Sequence, residues 1–202
     1  MDNEEFGYVC GVLCGRGFIK RGRNNCVGIH TRNRSLAIHV ASSLRNLCGY
    51  EPTIREKTPD GKTYFTVEVY GKDVVGIFDG IGFAPTRKIW APPKIAGENA
   101  EFRLGFLAGF FDSTAVVYFN REKFLTSGSG YRYLRATSVN PGGLREVKNL
   151  LSLQGIESAL RTTPKGLGRL VIRGAWRLKV FSERIPLRTP KKDALNEVFR
   201  FS

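Results

Sequence analysis

Two stretches of this chain repeat each other in order, and a tandem repeat restricts the fold more than any local pattern does. Tyr8-Val-Cys-Gly-Val-Leu-Cys-Gly-Arg-Gly-Phe-Ile19 is matched by Leu104-Gly-Phe-Leu-Ala-Gly-Phe-Phe-Asp-Ser-Thr-Ala-Val-Val117, with Gly11 against Gly109 at an offset of 98 residues. Leu44-Arg-Asn-Leu-Cys-Gly-Tyr-Glu51 is echoed by Leu150-Leu-Ser-Leu-Gln-Gly-Ile-Glu157, which sets Gly49 against Gly155 at an offset of 106. Gly71 and the helix carrying Phe78 return as Gly174 and the helix carrying Phe181, at an offset of 103. One coincidence of this kind carries little weight; three in order define two copies of one unit.

Each half reads as helix, strand, strand, helix, strand, strand, helix. In the first, a helix near residues 4–14 leads into strands at Phe18–Lys20 and Cys26–Thr31. Leu36, Val40, Leu44 and Leu47 form a helical stripe over Ser35–Leu47, closed by Gly49 as a stop. Strands follow at Thr53–Lys57 and Lys62–Tyr70, joined by the turn sequence Thr58-Pro-Asp-Gly61. Phe65, Val67 and Val69 alternate with Tyr64, Thr66 and Glu68, so one face of the last strand is buried and the other wet. A short helix near Lys72–Phe78 completes the half. Residues 84–100 hold Pro85, Pro92, Pro93 and Gly97 with little periodicity and read as a linker. The second half runs helix 101–112, strands near 114–121 and 130–139, helix 142–154, strands near 156–162 and 168–173, and helix 175–184. The expected organisation is a first repeat at 1–83, the linker at 84–100, a second repeat at 101–188 and a basic tail at 189–202 ending in a short helix. The fold class is α+β: tandem pseudo-symmetric αββαββα repeats with a separate antiparallel sheet in each half.

Charge is the first feature that narrows function. Thirty-two Lys and Arg against eighteen Asp and Glu leave +14 and a pI near 10. That excess repels itself in the folded state, and a polyanionic partner is the simplest reason to keep it; solubility or heat adaptation is the bland alternative. Anionic membrane is a weaker rival, because no long basic amphipathic helix is visible. No apolar run approaches the roughly 18 residues of a membrane span. The acidic start Met-Asp-Asn-Glu-Glu lacks the order of a signal peptide. The expected location is therefore cytoplasmic. Cys10, Cys14, Cys26 and Cys48 form no close CxxC pair, and with only His30 and His39 to help them a zinc site is not expected. They read as reduced core thiols.

Val9-Cys-Gly-Val-Leu-Cys-Gly-Arg-Gly17 and Leu107-Ala-Gly-Phe-Phe-Asp-Ser-Thr-Ala115 resemble two copies of the nine-residue motif of the LAGLIDADG homing endonucleases. Positions three and seven are Gly11 and Gly15 in one copy, Gly109 and Ser113 in the other. Small residues four apart form a groove that lets two helices cross with their backbones close together. The resemblance covers nearly the whole chain apart from linker and tail. It implies that the two motif helices pack at the centre of a single-chain monomer, and that the two sheets form one concave saddle on duplex DNA. Strands place alternate side chains on such a wet face, within reach of the major groove. The expected DNA-facing cations in the first half are Lys20, Arg21 and Arg23 in a hairpin turn, Arg32 and Arg34, and Arg55, Lys57 and Lys62. In the second half they are Arg121 and Lys123, Arg132 and Arg135, Arg161 and Lys165, and Arg169 and Arg173. Arg169, Val171 and Arg173 share one strand face by alternation.

In the family the resemblance points to, an acidic residue at motif position eight of each helix holds a divalent metal for cleavage. Here position eight is Arg16 in the first copy and Thr114 in the second, and position nine is Gly17 and then Ala115. A guanidinium puts positive charge where a cation would sit, so no metal site is expected there, and Arg16 is available for a phosphate instead. Asp112 remains at position six as a possible residual acid. Residues two apart on a helix point about 200° apart, which aims it elsewhere and suggests a structural role.

Three functions follow from the resemblance and its departures. The first is a duplex-DNA-binding protein of the nucleoid without cleavage activity and without a cofactor. The second is an active nuclease that uses Asp112 or substrate-bound Mg²⁺. The third is an RNA-binding helper of intron splicing. No added helix-turn-helix is visible, which disfavours the transcription-factor branch of this fold.

Overall fold

A computed structural model describes residues 2–86, 88–120, 122, 126 and 132–199. The first half comprises α1 (Asn3–Arg16), β1 (Gly17–Lys20), β2 (Cys26–Thr31), α2 (Arg34–Cys48), β3 (Thr53–Lys57), β4 (Tyr64–Tyr70) and α3 (Lys72–Asp79). A single turn, α4 (Ile95–Glu98), interrupts the stretch expected to be an irregular linker. The second half comprises α5 (Ala100–Thr114), β5 (Val116–Phe119), β6 (Arg132–Ser138), α6 (Pro141–Leu153), β7 (Ala159–Thr162), β8 (Gly168–Arg173) and α7 (Ala175–Arg184), followed by α8 (Lys191–Glu197). Each half carries one antiparallel four-stranded sheet, ordered β1-β2-β4-β3 in the first and β5-β6-β8-β7 in the second. The α+β pseudo-repeat expected from the sequence is the fold observed.

Local chemistry starts and stops these helices. The Asp2 carboxylate accepts the backbone N–H of Glu4 at 2.9 Å and of Glu5 at 3.1 Å. Asn33, Asn99 and Asn140 cap α2, α5 and α6 by accepting from Leu36, Phe102 and Gly143. Each side chain satisfies a donor that a helix N-terminus leaves open. Gly49 follows α2 with φ 72°, and Gly155 follows α6 at φ 66° one residue past its C-cap, so the two stops read from the sequence are left-handed turns that favour glycine.

At the centre α1 and α5 run parallel at a distance only glycine allows. A Cβ built on Gly11 would lie 2.0 Å from the Phe106 carbonyl oxygen, and one on Gly109 would lie 2.0 Å from that of Tyr8. Gly7 and Gly105 extend the seam, their Cβ positions falling 2.1 Å from the Phe102 oxygen and 1.9 Å from the Glu4 oxygen. At its far end a Cβ on Gly15 would lie 2.0 Å from the Ser113 hydroxyl. Every contact maps onto its counterpart by adding 98 residues, the signature of a pseudo-twofold axis between the helices. Both helices are buried around most of their circumference, and an aromatic chain lines them. Phe6 packs edge-on against Phe78 and Phe102, while Phe111 does the same against Phe110 and Phe181. Phe78 and Phe181 are equivalent, each bringing the last helix of its repeat onto a central helix.

Motif position nine, Gly17 and Ala115, leads each central helix straight into the first strand of its sheet. Gly17 has φ −99° and Ala115 φ −82°, both extended, so neither requires a glycine backbone. Gly17 is small for another reason: a Cβ there would lie 2.3 Å from the Leu13 side chain. Cys10, Cys14 and Cys26 are buried and Cys48 is half-buried, all as free thiols. Burial pushes each thiol's pKa up. Cys10 and Cys14 are core packing groups as expected, but Cys26 stands on the face of β2 opposite Val27 and Ile29 and is not part of the core.

Candidate nucleic-acid interface

The parallel helices bring the two motif ends together. There a cleft of about 740 Å³ opens, lined by Arg16 and Gly17, by Phe18, Lys20 and His30 of the first sheet, by Thr114, and by Thr137 and Ser138 of the second. Both sheets therefore present their solvent faces to the same cleft. Arg16 is exposed and donates through Nε to the Ser113 carbonyl at 3.3 Å, which leaves the rest of its guanidinium facing out. The Thr114 hydroxyl is turned back onto its own helix, donating to the Phe110 carbonyl at 2.7 Å. Among the described lining residues there is no Asp or Glu. A divalent cation wants several hard oxygen ligands, and a guanidinium beside an engaged hydroxyl does not supply them, so the metal of the resembling family does not fit these residues. Lys191 adds to the positive character: its ammonium donates to the carbonyls of Phe111, at 3.0 Å, and Asp112 in the last turn of α5. Burial lowers its pKa to about 8; the nearby Asp112 works against that shift, and Arg16 reinforces it.

Asp112 points away from the cleft. It is 1% exposed and accepts three hydrogen bonds: from the Tyr8 hydroxyl at 3.1 Å, the Arg188 backbone N–H at 2.8 Å and the Thr189 hydroxyl at 2.6 Å. Burial, followed by the adjacent Asp112 charge and hydrogen bond, raises the Tyr8 pKa far above its ordinary value. The guanidinium of Arg188 lies over the Tyr8 ring and pairs with Glu4 at 3.1 Å and with Glu5. Asp112 thus ties the segment after α7 across both central helices.

The strand register sorts the remaining cations. In the first sheet Lys20 on β1, Cys26 on β2 and Tyr70 on β4 form one row of the solvent face; Phe18, Gly28, Glu68 and Thr53 form the next, and His30, Thr66 and Arg55 the third. Glu68, 5% exposed, collects the cations around it, with Lys20 at 3.5 Å and Arg55 at 3.0 Å, and accepts from the Tyr70 hydroxyl at 2.9 Å. Burial opposes its charge, but the Tyr70 hydroxyl and the two cations outweigh that and lower its pKa. In the second sheet the matching rows are Tyr118, Tyr133 and Arg173; then Val116, Arg135, Val171 and Ala159; then Thr137, Arg169 and Arg161. Tyr118 stacks on Tyr133 at 4.8 Å, and the guanidiniums of Arg135 and Arg173 lie 5.7 and 5.9 Å from the Tyr133 ring centre. Among the described residues, no carboxylate pairs with Arg135, Arg161, Arg169 or Arg173.

Other expected contacts are scattered. Arg23, Lys57, Lys62 and Lys165 are exposed, the last three on or beside the turns that end the strands. Arg32 and Arg34 flank the N-cap of α2, Arg32 lying 5.7 Å from the Tyr64 ring. Arg21 is tied down instead, to Asp79 at 2.6 Å and to the Phe83 carbonyl. Arg132 pairs with Phe119 in the register and so faces away from the saddle, where it donates to the Val198 carbonyl at 3.2 Å; it is not positioned to touch a ligand on the solvent face. Arg121 and Lys123 lie outside the described residues.

Comparison with known proteins agrees with the fold. Residues 101–186 match the family model of a LAGLIDADG-like domain. The homing endonuclease I-DmoI, in a structure of its mesophilic variants, superposes with a TM-score of 0.66 at 17% identity, covering 98% of this chain and all of that one. I-DmoI in complex with DNA and Ca gives the same TM-score at 16% identity, with the same coverage. Full-length WhiA from Thermotoga maritima superposes at 0.66 with 12% identity; the whole of this chain matches 60% of that protein. The N-terminal LAGLIDADG domain of WhiA gives 0.63 at 13% identity, covering 100% and 88% of the two chains. No curated protein sequence matches.

Proposed function

We propose that this chain, a two-repeat LAGLIDADG fold, binds double-stranded DNA along the solvent faces of its two sheets and holds the backbone at the helix ends without cutting it. The observation that carries this reading is the composition of the cleft: where α1 and α5 end together, Arg16, Lys20 and His30 face the opening and no described carboxylate does. Such a cleft suits a phosphate and repels a metal ion. The fold of I-DmoI, which is known in complex with DNA and Ca and with DNA and Mn, supports placing duplex rather than another polyanion on these faces. Fusion of the repeats already buries the seam that separate copies would need to share, so the protein works as a monomer, bound to DNA in the cytoplasm.

The test is fluorescence anisotropy with duplex DNA, single-stranded DNA and structured RNA, across a salt series and with Mg²⁺, Mn²⁺ or chelator. Duplex is expected to bind best. If about eight phosphates are neutralised, the log–log slope against salt is about −7. Plasmid DNA is expected to remain uncut in every metal. Preference for structured RNA overturns the partner, and reproducible metal-dependent cuts overturn the loss of cleavage.

A further inference from the structure

Equivalent positions in the two sheets carry opposite chemistry. Counting from the motif helices, Gly28 in the first sheet corresponds to Arg135 in the second, Glu68 to Val171 and Tyr70 to Arg173. The middle row of the first face is thus a glycine beside a carboxylate, and the middle row of the second an arginine between two valines. Charge along the chain follows the same division. Residues 1–100 hold fourteen Lys and Arg against ten Asp and Glu, net +4, and residues 101–202 hold eighteen against eight, net +10. Arg161 and Arg169 sit directly opposite each other across β7 and β8, a like-charge pair that costs stability unless an anion lies between them.

Resting on the duplex-binding reading above, we propose that the two half-saddles are unequal readers, with the second sheet recognising guanine through Arg135 and Arg173, both positioned by Tyr133. The ring of Tyr133 is backed by Tyr118 on one side and carries both guanidiniums within 6 Å of its centre. Attraction to the ring biases where a guanidinium sits while leaving its donors free, and a guanidinium held near its working position is better prepared for a two-bond contact to guanine O6 and N7. Among the described residues the buried Arg135 Nε has no partner, so the terminal nitrogens are the part of the group left to meet a ligand. Lys20 and Arg55 of the first sheet have their charge answered by Glu68, and they contribute neither the same attraction nor the same recognition. Tyr133 is a positioning residue in this scheme.

The experiment is selection of binding sites by the full chain from a duplex library randomised across the whole site, followed by affinity measurements on the selected sequence. Guanine preference is expected in one half of the site only. Arg135→Ala and Arg173→Ala each flatten one position and weaken the selected site by roughly 5- to 150-fold, with far less effect on unrelated duplex. Arg135→Lys keeps the salt slope and loses the preference. Tyr133→Ala flattens both positions and lowers the melting temperature by a few degrees through loss of the Tyr118 stack. Tyr118→Ala lowers it similarly and keeps the preference, and Tyr133→Phe restores both positions, because the ring and not the hydroxyl does the positioning. Guanine preference divided equally between the halves overturns the proposal, as does a preference that survives the Arg135→Ala/Arg173→Ala double change. Duplex binding with no base preference leaves the DNA-binding reading standing and defeats this one. Failure of the wild-type chain to retain any duplex defeats both.

Discussion

Gly28 and Arg135 occupy the same place in their sheets, and so do Glu68 and Val171, yet the helices beneath them meet through glycines whose contacts repeat with a constant offset of 98 residues. Gly7, Gly11, Gly105 and Gly109 tolerate no divergence because each faces backbone at about 2 Å from where a Cβ would be, and backbone cannot move aside; at the far end, where Gly15 meets the Ser113 side chain, the two copies already differ. The solvent faces are under no such constraint. A side chain that stands off a sheet can be exchanged without disturbing its neighbours, so one face has collected an acid and the other arginines. Symmetry in this molecule is strictest where glycine meets backbone between the central helices.

Substitution at the seam probes that symmetry where it is strictest. Gly11→Leu and Gly109→Leu are expected to destabilise the protein equally, each by about 3 kcal/mol or more through overpacking, measured by chemical unfolding. Costs that differ several-fold, or stability close to wild type in either variant, would show that the two sides of the axis are not equivalent. Motif position six is where the interior itself departs from symmetry: Asp112 in the second copy corresponds to Cys14 in the first. Asp112→Asn is expected to cost about 2 kcal/mol, since one amide cannot accept from the Tyr8, Arg188 and Thr189 donors as a carboxylate does. It should also speed proteolysis near residues 185–191, whereas Cys14→Ala should leave cleavage there unchanged; equal cleavage in both variants sinks the assignment of Asp112 as the tie. The smallest effects lie on the faces. Val171→Glu, which gives the second sheet the acid of the first, is expected to weaken duplex binding about tenfold. Glu68→Gln, which frees Lys20 and Arg55, is expected to tighten it about threefold and to steepen the salt slope by about 1. A change of opposite sign in either variant breaks the comparison between the sheets.

Much of this architecture was legible in the sequence. The repeat, the element order and the small residues Gly11, Gly15, Gly109 and Ser113 could be read directly, because periodicity and spacing are local properties. Gly7 and Gly105 extend the same spacing by one turn and could have been included. Arg132 could have been excluded by the same logic: it stands three residues from Arg135, and an odd spacing on a strand sends two side chains to opposite faces. Other features depend on groups far apart in the chain. The Arg21–Asp79 pair spans 58 residues and the gathering of Lys20 by Glu68 spans 48, and no local pattern announces either. The Tyr118–Tyr133–Arg173 row needs the register of two separate strand pairs before it becomes visible.

The clasp formed by Arg188 closes on Glu4, 184 residues earlier in the chain. During synthesis α1 therefore emerges with its glycine face bare and has no partner until α5 follows about a hundred residues later. Asp112 in turn lacks two of its three donors until Arg188 and Thr189 have been made. Contacts of such long range are slow to form, because the entropy of closing the loop must be overcome before any of them contributes. A fold whose centre is closed by a segment made so long after its first helix matures late, and the half-made chain is the form most exposed to aggregation.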